Sequence, residues 1–161
     1  MKNFTQHGTT TVFEHCVSVA KFSLLMAYYL ERTMKIKVDR DSLVRAALLH
    51  DYFLYDWHDK TIPGHNIHGF THPRTAMLNA DRDFGLNAVE KDIISKHMFP
   101  LTFMPPRYRE SVLVTAGIFL NITQTIPDNT FCNLSFSRCL PEILTLWIFD
   151  YKRPVLDLCL C

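Results

Sequence analysis

The chain has 161 residues and a formal net charge of +1, with its eight histidines counted as neutral. A chain of this length is typical of one domain, and it can bury about two thirds of the surface that it exposes when unfolded. Charged residues make up 20% of the chain, and the net charge is close to zero. The composition therefore lacks the excess of Lys and Arg that is typical of a nucleic-acid-binding protein, and no nucleic-acid partner is expected.

No stretch approaches the roughly 18 apolar residues of a membrane span, and the longest apolar segment, near Val112 to Leu120, is interrupted by Thr115 and Gly117. Residues 1–11 are polar and lack the apolar core of a signal peptide. The five cysteines are odd in number and form no close CxxC pair. We therefore expect reduced thiols, a cytoplasmic location and no membrane partner.

Apolar residues at three- and four-residue steps predict a first helix from about Thr11 to Arg32 and a second from about Asp41 to Tyr55. Asp41 is a plausible N-cap of the second helix. A segment without a clear period follows, from Asp56 to Thr71. A connection of this length is uncommon in a compact domain and is often functional where it occurs.

Pro73 is predicted to take the first position of a third helix, which extends to about Asp83. A fourth helix is predicted from Asn87 to Met98, where Asn87 and Glu90 have the spacing of a capping box. A fifth runs roughly from Arg107 to Leu120, and a short last helix begins at Pro141. Since no segment alternates as a strand would, the predicted fold is all-α, a compact bundle of about five to six helices.

The second predicted helix carries a histidine and an aspartate at its inward side. His50 lies three residues after Ala47 and seven after Leu43, so it shares the face of the apolar stripe, and Asp51 lies at the edge of that face. An ionised carboxylate pressed toward a core costs several kcal/mol unless it is paired or ligates a metal ion. A cation would satisfy both side chains.

Three more histidines lie at comparable positions. His15 and His97 continue the apolar stripes of the first and fourth helices, and His72 precedes Pro73 at the predicted start of the third. Each histidine taken alone is more often a hydrogen-bonded core residue, and the His50–Asp51 pair could be a salt bridge. The coincidence of four histidines and one aspartate favours a metal site, since imidazole and carboxylate together suit Mn, Fe, Co, Ni or Zn.

The order of these residues resembles the HD superfamily of metal-dependent phosphohydrolases, and it is most similar to small bacterial HD-domain proteins. The likeness rests on these residues, in chain order: His15, His50, Asp51, His72, Pro73 and His97. The segments Leu48–Asp59 and His68–Pro73 carry most of it. The resemblance covers roughly residues 5–113 of a predicted single HD-like domain, 1–161, whose part 114–161 is divergent.

The resemblance implies an HD-like fold and a role for each matching residue. His15, His50 and Asp51 would ligate a first metal ion, and His72 and His97 a second, with Asp51 bridging the two. One or two divalent ions (Mn, Fe, Co, Ni, Zn or Mg) would activate water toward the phosphorus of a small phosphorylated substrate, a nucleotide or another phosphate ester. Asp51 and His50 would be the central catalytic residues.

The chain departs from the family pattern after the last histidine. The family has a late aspartate on the following helix, whereas no aspartate occurs here between Ser111 and Asp128. Of the 111 residues before Val112, 26 are charged, against 7 of the 50 from there on. One explanation is a diverged or out-of-frame C-terminal part that leaves a damaged site, which favours a catalytically inactive HD-like domain for metal or nucleotide binding or for protein interaction. The other is a metal held by fewer protein ligands together with water, or with His72 and His97.

The aperiodic segment holds further polar candidates. Its three histidines are His58, His65 and His68. They form either a lid that supplies general acids near neutral pH or a solvated polar loop. Arg74 and Lys60 are candidates for binding the phosphate of the substrate, and the guanidinium of Arg74 matches phosphate oxygens in a fork. A solvated surface position is the alternative for each.

Overall fold

The computed structural model describes residues 5–7, 10–53 and 68–125, with side chains over 11–53 and 70–121. Its five helices in this part of the chain are α1 (Val12–Met34), α2 (Arg40–Leu49), α3 (His68–Phe84), α4 (Ala88–Lys96) and α5 (Arg109–Thr125). The all-α fold class is confirmed. The helix predicted from Pro141 lies outside the described residues.

Two short strands precede the helices. β1 (Thr5–His7) and β2 (Thr10–Thr11) pair in antiparallel fashion. Strands of three and two residues are too short to show an alternation of apolar and polar residues, so this hairpin was not predicted.

Side-chain caps fix where three of the helices begin. Thr11 and Glu14 form a capping box at the start of α1, and Asn87 and Glu90 form the predicted one at the start of α4. The prediction of Asp41 as the N-cap of α2 was wrong, because Asp39 accepts the backbone N–H of Ser42 at 3.1 Å and its hydroxyl at 2.7 Å.

The boundaries of α2 and α3 also differ from those predicted. α2 ends at Leu49 rather than Tyr55, and α3 begins at His68 rather than Pro73. Pro73 therefore lies inside α3, where a proline removes one backbone donor. Its ring is fully buried, so packing of the ring offsets the missing hydrogen bond.

α1 packs against α2 and α5, and α4 packs against α2, α3 and α5. The Ser23 hydroxyl on α1 donates to the carbonyl of Leu113 on α5 at 3.3 Å. A Cβ atom added at Gly117 would lie 2.6 Å from the Ser23 Oγ, so any side chain at this position would force Ser23 to move where these two helices meet. Since His15 at the start of α1 contacts Asn121 beyond Gly117, the two helices run antiparallel.

Asp92 on α4 anchors the start of α5. Its Oδ2 accepts the backbone N–H of Arg107 at 2.8 Å and of Tyr108 at 3.3 Å, and the hydroxyl of Ser111 at 2.6 Å. Burial would raise the pKa of this carboxyl, but the ammonium of Lys96 and these hydrogen bonds outweigh burial and lower it. The carboxylate thus links two helices that both contribute to the site described below.

The described helices belong to one compact unit within Met1–Ile126. α5 continues through residue 114, where the divergent part was predicted to start, without interruption. That 1–161 form a single domain stays a prediction, because residues 126–161 lie outside the described ranges. None of the helices in those ranges has both the length and the apolar character that a membrane span needs.

Candidate metal centre

His50 and Asp51 lie where α2 ends. His50 is the C-cap residue, and its Nδ1 lies 2.8 Å from the carbonyl oxygen of Ala47. Because a carbonyl only accepts, Nδ1 carries the proton of a neutral ring, and that tautomer leaves the lone pair on Nε2. The ring thereby satisfies one of the carbonyls that the end of a helix leaves without an intrahelical partner. Asp51 follows and is 2% exposed, so both side chains are directed into the protein interior.

His97 repeats this arrangement at the end of α4. It is the C-cap residue, and its Nδ1 donates to the carbonyl of Ile94 at 2.8 Å. Burial, together with the neighbouring His50 and His72, holds the pKa of His97 well below its usual range. The ring is therefore neutral at neutral pH, and its Nε2 is an acceptor.

His15 and His72 come from the interiors of α1 and α3. The Nδ1 of His15 lies 2.8 Å from the Oδ1 of Asn121. His72 is buried within α3 rather than standing before the helix as predicted, because α3 begins at His68. Its Nε2 lies 2.9 Å from the Nε2 of His97.

The four imidazoles converge on the carboxylate of Asp51. Its Oδ2 lies 3.4 Å from the Nε2 of His50 and 3.9 Å from that of His15. Its Oδ1 lies 3.4 Å from the Nε2 of His72 and 3.6 Å from that of His97. Each carboxylate oxygen thus faces its own pair of histidines, and each group of three offers ligand atoms within 4.8 Å of one another.

The chemistry of this donor set fits a divalent cation. Burial opposes ionisation of Asp51, but the surrounding imidazoles of His50, His72 and His97 outweigh burial and hold its pKa well below the usual range. An ionised carboxylate is thus surrounded by imidazole nitrogens in a buried site. Imidazole and carboxylate are ligands that Mn, Fe, Co, Ni and Zn accept, and the two groups around one carboxylate suit one ion or two.

Asn121 is the residue at this site that the sequence argument missed. The family pattern predicts a carboxylate after the last histidine, and α5 instead places a buried carboxamide against His15. A signal was present in the sequence. Asn121 follows Val114 and Ile118 at four- and three-residue steps, so it is a polar residue on the buried stripe of an otherwise apolar helix.

The candidates for substrate binding do not join this cluster within the described residues. Arg74 follows His72 on α3 with an exposed side chain, whereas the five candidate ligands are buried. Lys60, His58 and His65 lie outside the described residues, as does the side chain of His68.

Cys16 adjoins the site on α1 and is a free, buried thiol. Burial, followed by the charge of Asp51, raises its pKa well above the usual range. Cys16 therefore stays protonated at neutral pH in the absence of a metal ion, and its sulfur belongs to neither group of ligand atoms around Asp51. The other four cysteines lie outside the described residues.

Comparison with known proteins gives one family and one curated relative. A family model described as "HD domain" matches residues 12–114. The dihydroneopterin 2',3'-cyclic phosphate phosphodiesterase of Methanocaldococcus jannaschii is 31% identical over 91 residues, which cover 53% of this chain and 36% of that protein. The chain thus spans little more than a third of the length of this relative. No solved structure is significantly similar to the chain.

Proposed function

The chain belongs to the HD domain family, and from this premise we propose that it is a metal-dependent phosphohydrolase that acts on a nucleotide or another small phosphate ester. The observation that carries the proposal is the convergence of four buried imidazoles on the two oxygens of one carboxylate. The proposed metal ligands are His15, His50, Asp51, His72 and His97.

The two groups of ligand atoms suggest two metal positions. His15, His50 and Asp51 would hold one ion, and His72, His97 and Asp51 the other, with Asp51 shared between them. The ions would be drawn from Mn, Fe, Co, Ni, Zn and Mg. When bound, such an ion supplies Lewis acidity and lowers the pKa of a coordinated water to about 7.

The protein's own contribution is to hold these ligands before any ion or substrate arrives. The carbonyls of Ala47 and Ile94 fix the rings of His50 and His97, so the Nε2 lone pairs already face the carboxylate. Burial keeps bulk water away from these atoms, which strengthens electrostatic interactions at the site. Asp51 stays ionised there and supplies the only negative charge among the proposed ligands.

The name of the relative from Methanocaldococcus jannaschii specifies a 2',3'-cyclic phosphate, which supports adding this kind of ester to the candidates. We therefore include cyclic phosphodiesters beside nucleoside monophosphates as candidate substrates. Arg74 and Lys60 stay candidates for contacts with the phosphate, Arg74 because its exposed guanidinium lies two residues from His72.

Metal analysis and a substrate panel test this function. Purified protein should contain at least one transition-metal ion, and with added Mn or Co it should hydrolyse an aryl phosphate, a nucleoside monophosphate or a 2',3'-cyclic nucleotide. Asp51→Ala should lower that activity on the order of 1,000-fold, because it removes the ligand shared by both metal positions. Asp41→Ala, the same change at an exposed aspartate on α2, is the matched control and should stay active.

Two results would reject the assignment. One is a folded Asp51→Ala variant, judged by circular dichroism, that keeps the activity of the starting protein. The other is purified protein that neither contains nor takes up a divalent ion.

Asn121 favours one alternative function, a catalytically inactive HD-like domain that binds a metal ion or nucleotide. A neutral carboxamide is found on α5, where the family pattern led us to expect a carboxylate. This alternative predicts stoichiometric metal binding with no hydrolysis of any member of the substrate panel. Hydrolysis that depends on Asp51 would exclude it.

A further inference from the structure

We propose that Asn121 is a positioning residue: its carboxamide oxygen fixes the tautomer of His15, so that the Nε2 of His15 faces Asp51 as a metal ligand. This inference rests on the metal centre proposed above, and it assigns to Asn121 a role that does not require direct contact with the ion.

The geometry between α1 and α5 carries the inference. The Oδ1 of Asn121 lies 2.8 Å from the Nδ1 of His15, and both side chains are buried. An amide oxygen only accepts hydrogen bonds, so the proton of a neutral His15 resides on Nδ1. The lone pair then resides on Nε2, the atom that lies 3.9 Å from the Oδ2 of Asp51.

His15 needs such a partner because of its place in its helix. His50 and His97 stand at C-caps, where the carbonyls of the last turn have no intrahelical partner and can accept from Nδ1. His15 lies near the start of a long helix, where the carbonyls accept from the N–H four residues later. An acceptor from another helix must therefore replace the backbone carbonyl, and Asn121 supplies it from α5.

A carboxamide does this without adding charge. An aspartate at position 121 would place a second buried carboxylate against the ring that faces Asp51, and two like charges at a buried site are costly without a cation. Asn121→Asp should therefore keep the proton of His15 on Nδ1 and bind divalent ions more tightly. Asn121→Leu keeps the size of the side chain and removes the acceptor, so it should allow His15 to adopt the Nε2–H tautomer.

The test reads the tautomer directly in the full chain. Metal-free protein labelled with ¹⁵N-histidine is examined by long-range ¹H–¹⁵N correlation, and the His15 signal is assigned by its loss in His15→Gln. We expect the Nδ1–H form in the starting protein and in Asn121→Asp. In Asn121→Leu we expect a shift toward the Nε2–H form and a 10- to 100-fold weaker Kd for Zn²⁺ alone by calorimetry, about the effect of removing an outer-shell partner.

Thr115→Val is the matched control on the same helix. Thr115 is buried, and its hydroxyl donates to the carbonyl of Ser111, so this change also removes a buried hydrogen bond of α5. It should leave both the His15 tautomer and the Kd for Zn²⁺ unchanged. If Asn121→Leu does not fold, Asn121→Ala replaces it and is read in the same way.

An Nε2–H tautomer in the starting protein would overturn the inference, because Asn121 would then be donating to His15 through its Nδ2. An unchanged tautomer in Asn121→Leu or Asn121→Ala would overturn it as well. Failure of the proposed function is distinguishable, since a chain that binds no divalent ion loses the calorimetric signal while the metal-free tautomer still reports on Asn121.

Discussion

The crossing of α1 and α5 should be sensitive to one added methyl group. In Gly117→Ala the new Cβ would lie 2.6 Å from the Ser23 Oγ and 3.3 Å from the carbonyl oxygen of Val19. The first distance is too short to persist, so Ser23 must rotate and give up its hydrogen bond to the Leu113 carbonyl. Overpacking costs about 1–3 kcal/mol, and the lost buried hydrogen bond about 1 kcal/mol.

Replacing glycine by alanine inside a helix returns about 1 kcal/mol of helix propensity. The net loss in the free energy of unfolding is therefore about 1–3 kcal/mol. Urea denaturation followed by circular dichroism measures it. Ser23→Ala provides the second arm of a double-mutant cycle, because without the Oγ the closest neighbour of the new methyl is the Val19 oxygen at 3.3 Å.

In the Ser23→Ala background Gly117→Ala should be nearly neutral, giving a coupling energy of about 1–3 kcal/mol. The same loss in both backgrounds, or a gain of stability from Gly117→Ala alone, would refute the steric reasoning. The crossing also matters for the site, because Gly117 lies one helical turn before Asn121. A displaced α5 should therefore weaken metal binding as well as folding.

Three further predictions concern stability. Asp92→Asn should destabilise by about 1–3 kcal/mol at neutral pH. Lys96 and neighbouring donors outweigh burial and lower the pKa of Asp92 in the folded state. The ionised carboxylate therefore contributes to the free energy of unfolding above the unfolded-state pKa of about 3.9, and this contribution is lost as the pH falls through the folded-state pKa. The difference between wild type and variant in urea denaturation should thus narrow below about pH 4, and a constant difference would contradict this. Glu90→Ala should lower the melting temperature more than Glu14→Ala, because Glu90 is buried and also accepts from Arg45 at 3.0 Å, whereas Glu14 is exposed; equal losses would count against that account. A chelator should lower the melting temperature of metal-loaded protein, since an ion present at 100 times its Kd stabilises by about 2.7 kcal/mol; an unchanged melting curve would exclude an ion bound only to the folded state.

The sequence allowed the helices with strong local signals to be predicted. α1 and α4 each combine an apolar stripe with a capping side chain, and both features depend on residues within one or two turns. The start of α3 was missed because proline prefers the first helical position, and only burial against other elements explains Pro73 inside the helix. Asp39 and Asp41 could not be separated, because both precede the stripe of α2 and the choice depends on the position of Ser42.

The residues of the candidate site also differ in how far the sequence could predict them. Inward positions of His15, His50 and His97 follow from helical spacing, and the chain order of the histidines supplied the resemblance to a family. Asn121 was missed because an amide carries no charge that demands a partner, although helical spacing places it on the apolar stripe of α5. Its significance depends on a contact between residues 106 positions apart in the chain.

The rings of His50 and His97 each terminate a helix through Nδ1 and direct Nε2 toward the same carboxylate. Replacing either histidine removes a proposed metal ligand and also the Nδ1–H donor to a carbonyl in the last turn of α2 or α4. Replacing Asp51 leaves both of these hydrogen bonds in place. Variants at the two histidines should therefore accumulate to lower levels in a cell and be cleared more readily, while Asp51→Ala should persist as folded protein. A screen that scores abundance and activity separately would show this asymmetry, and Asp51 is thus the better position at which to abolish chemistry while preserving the protein.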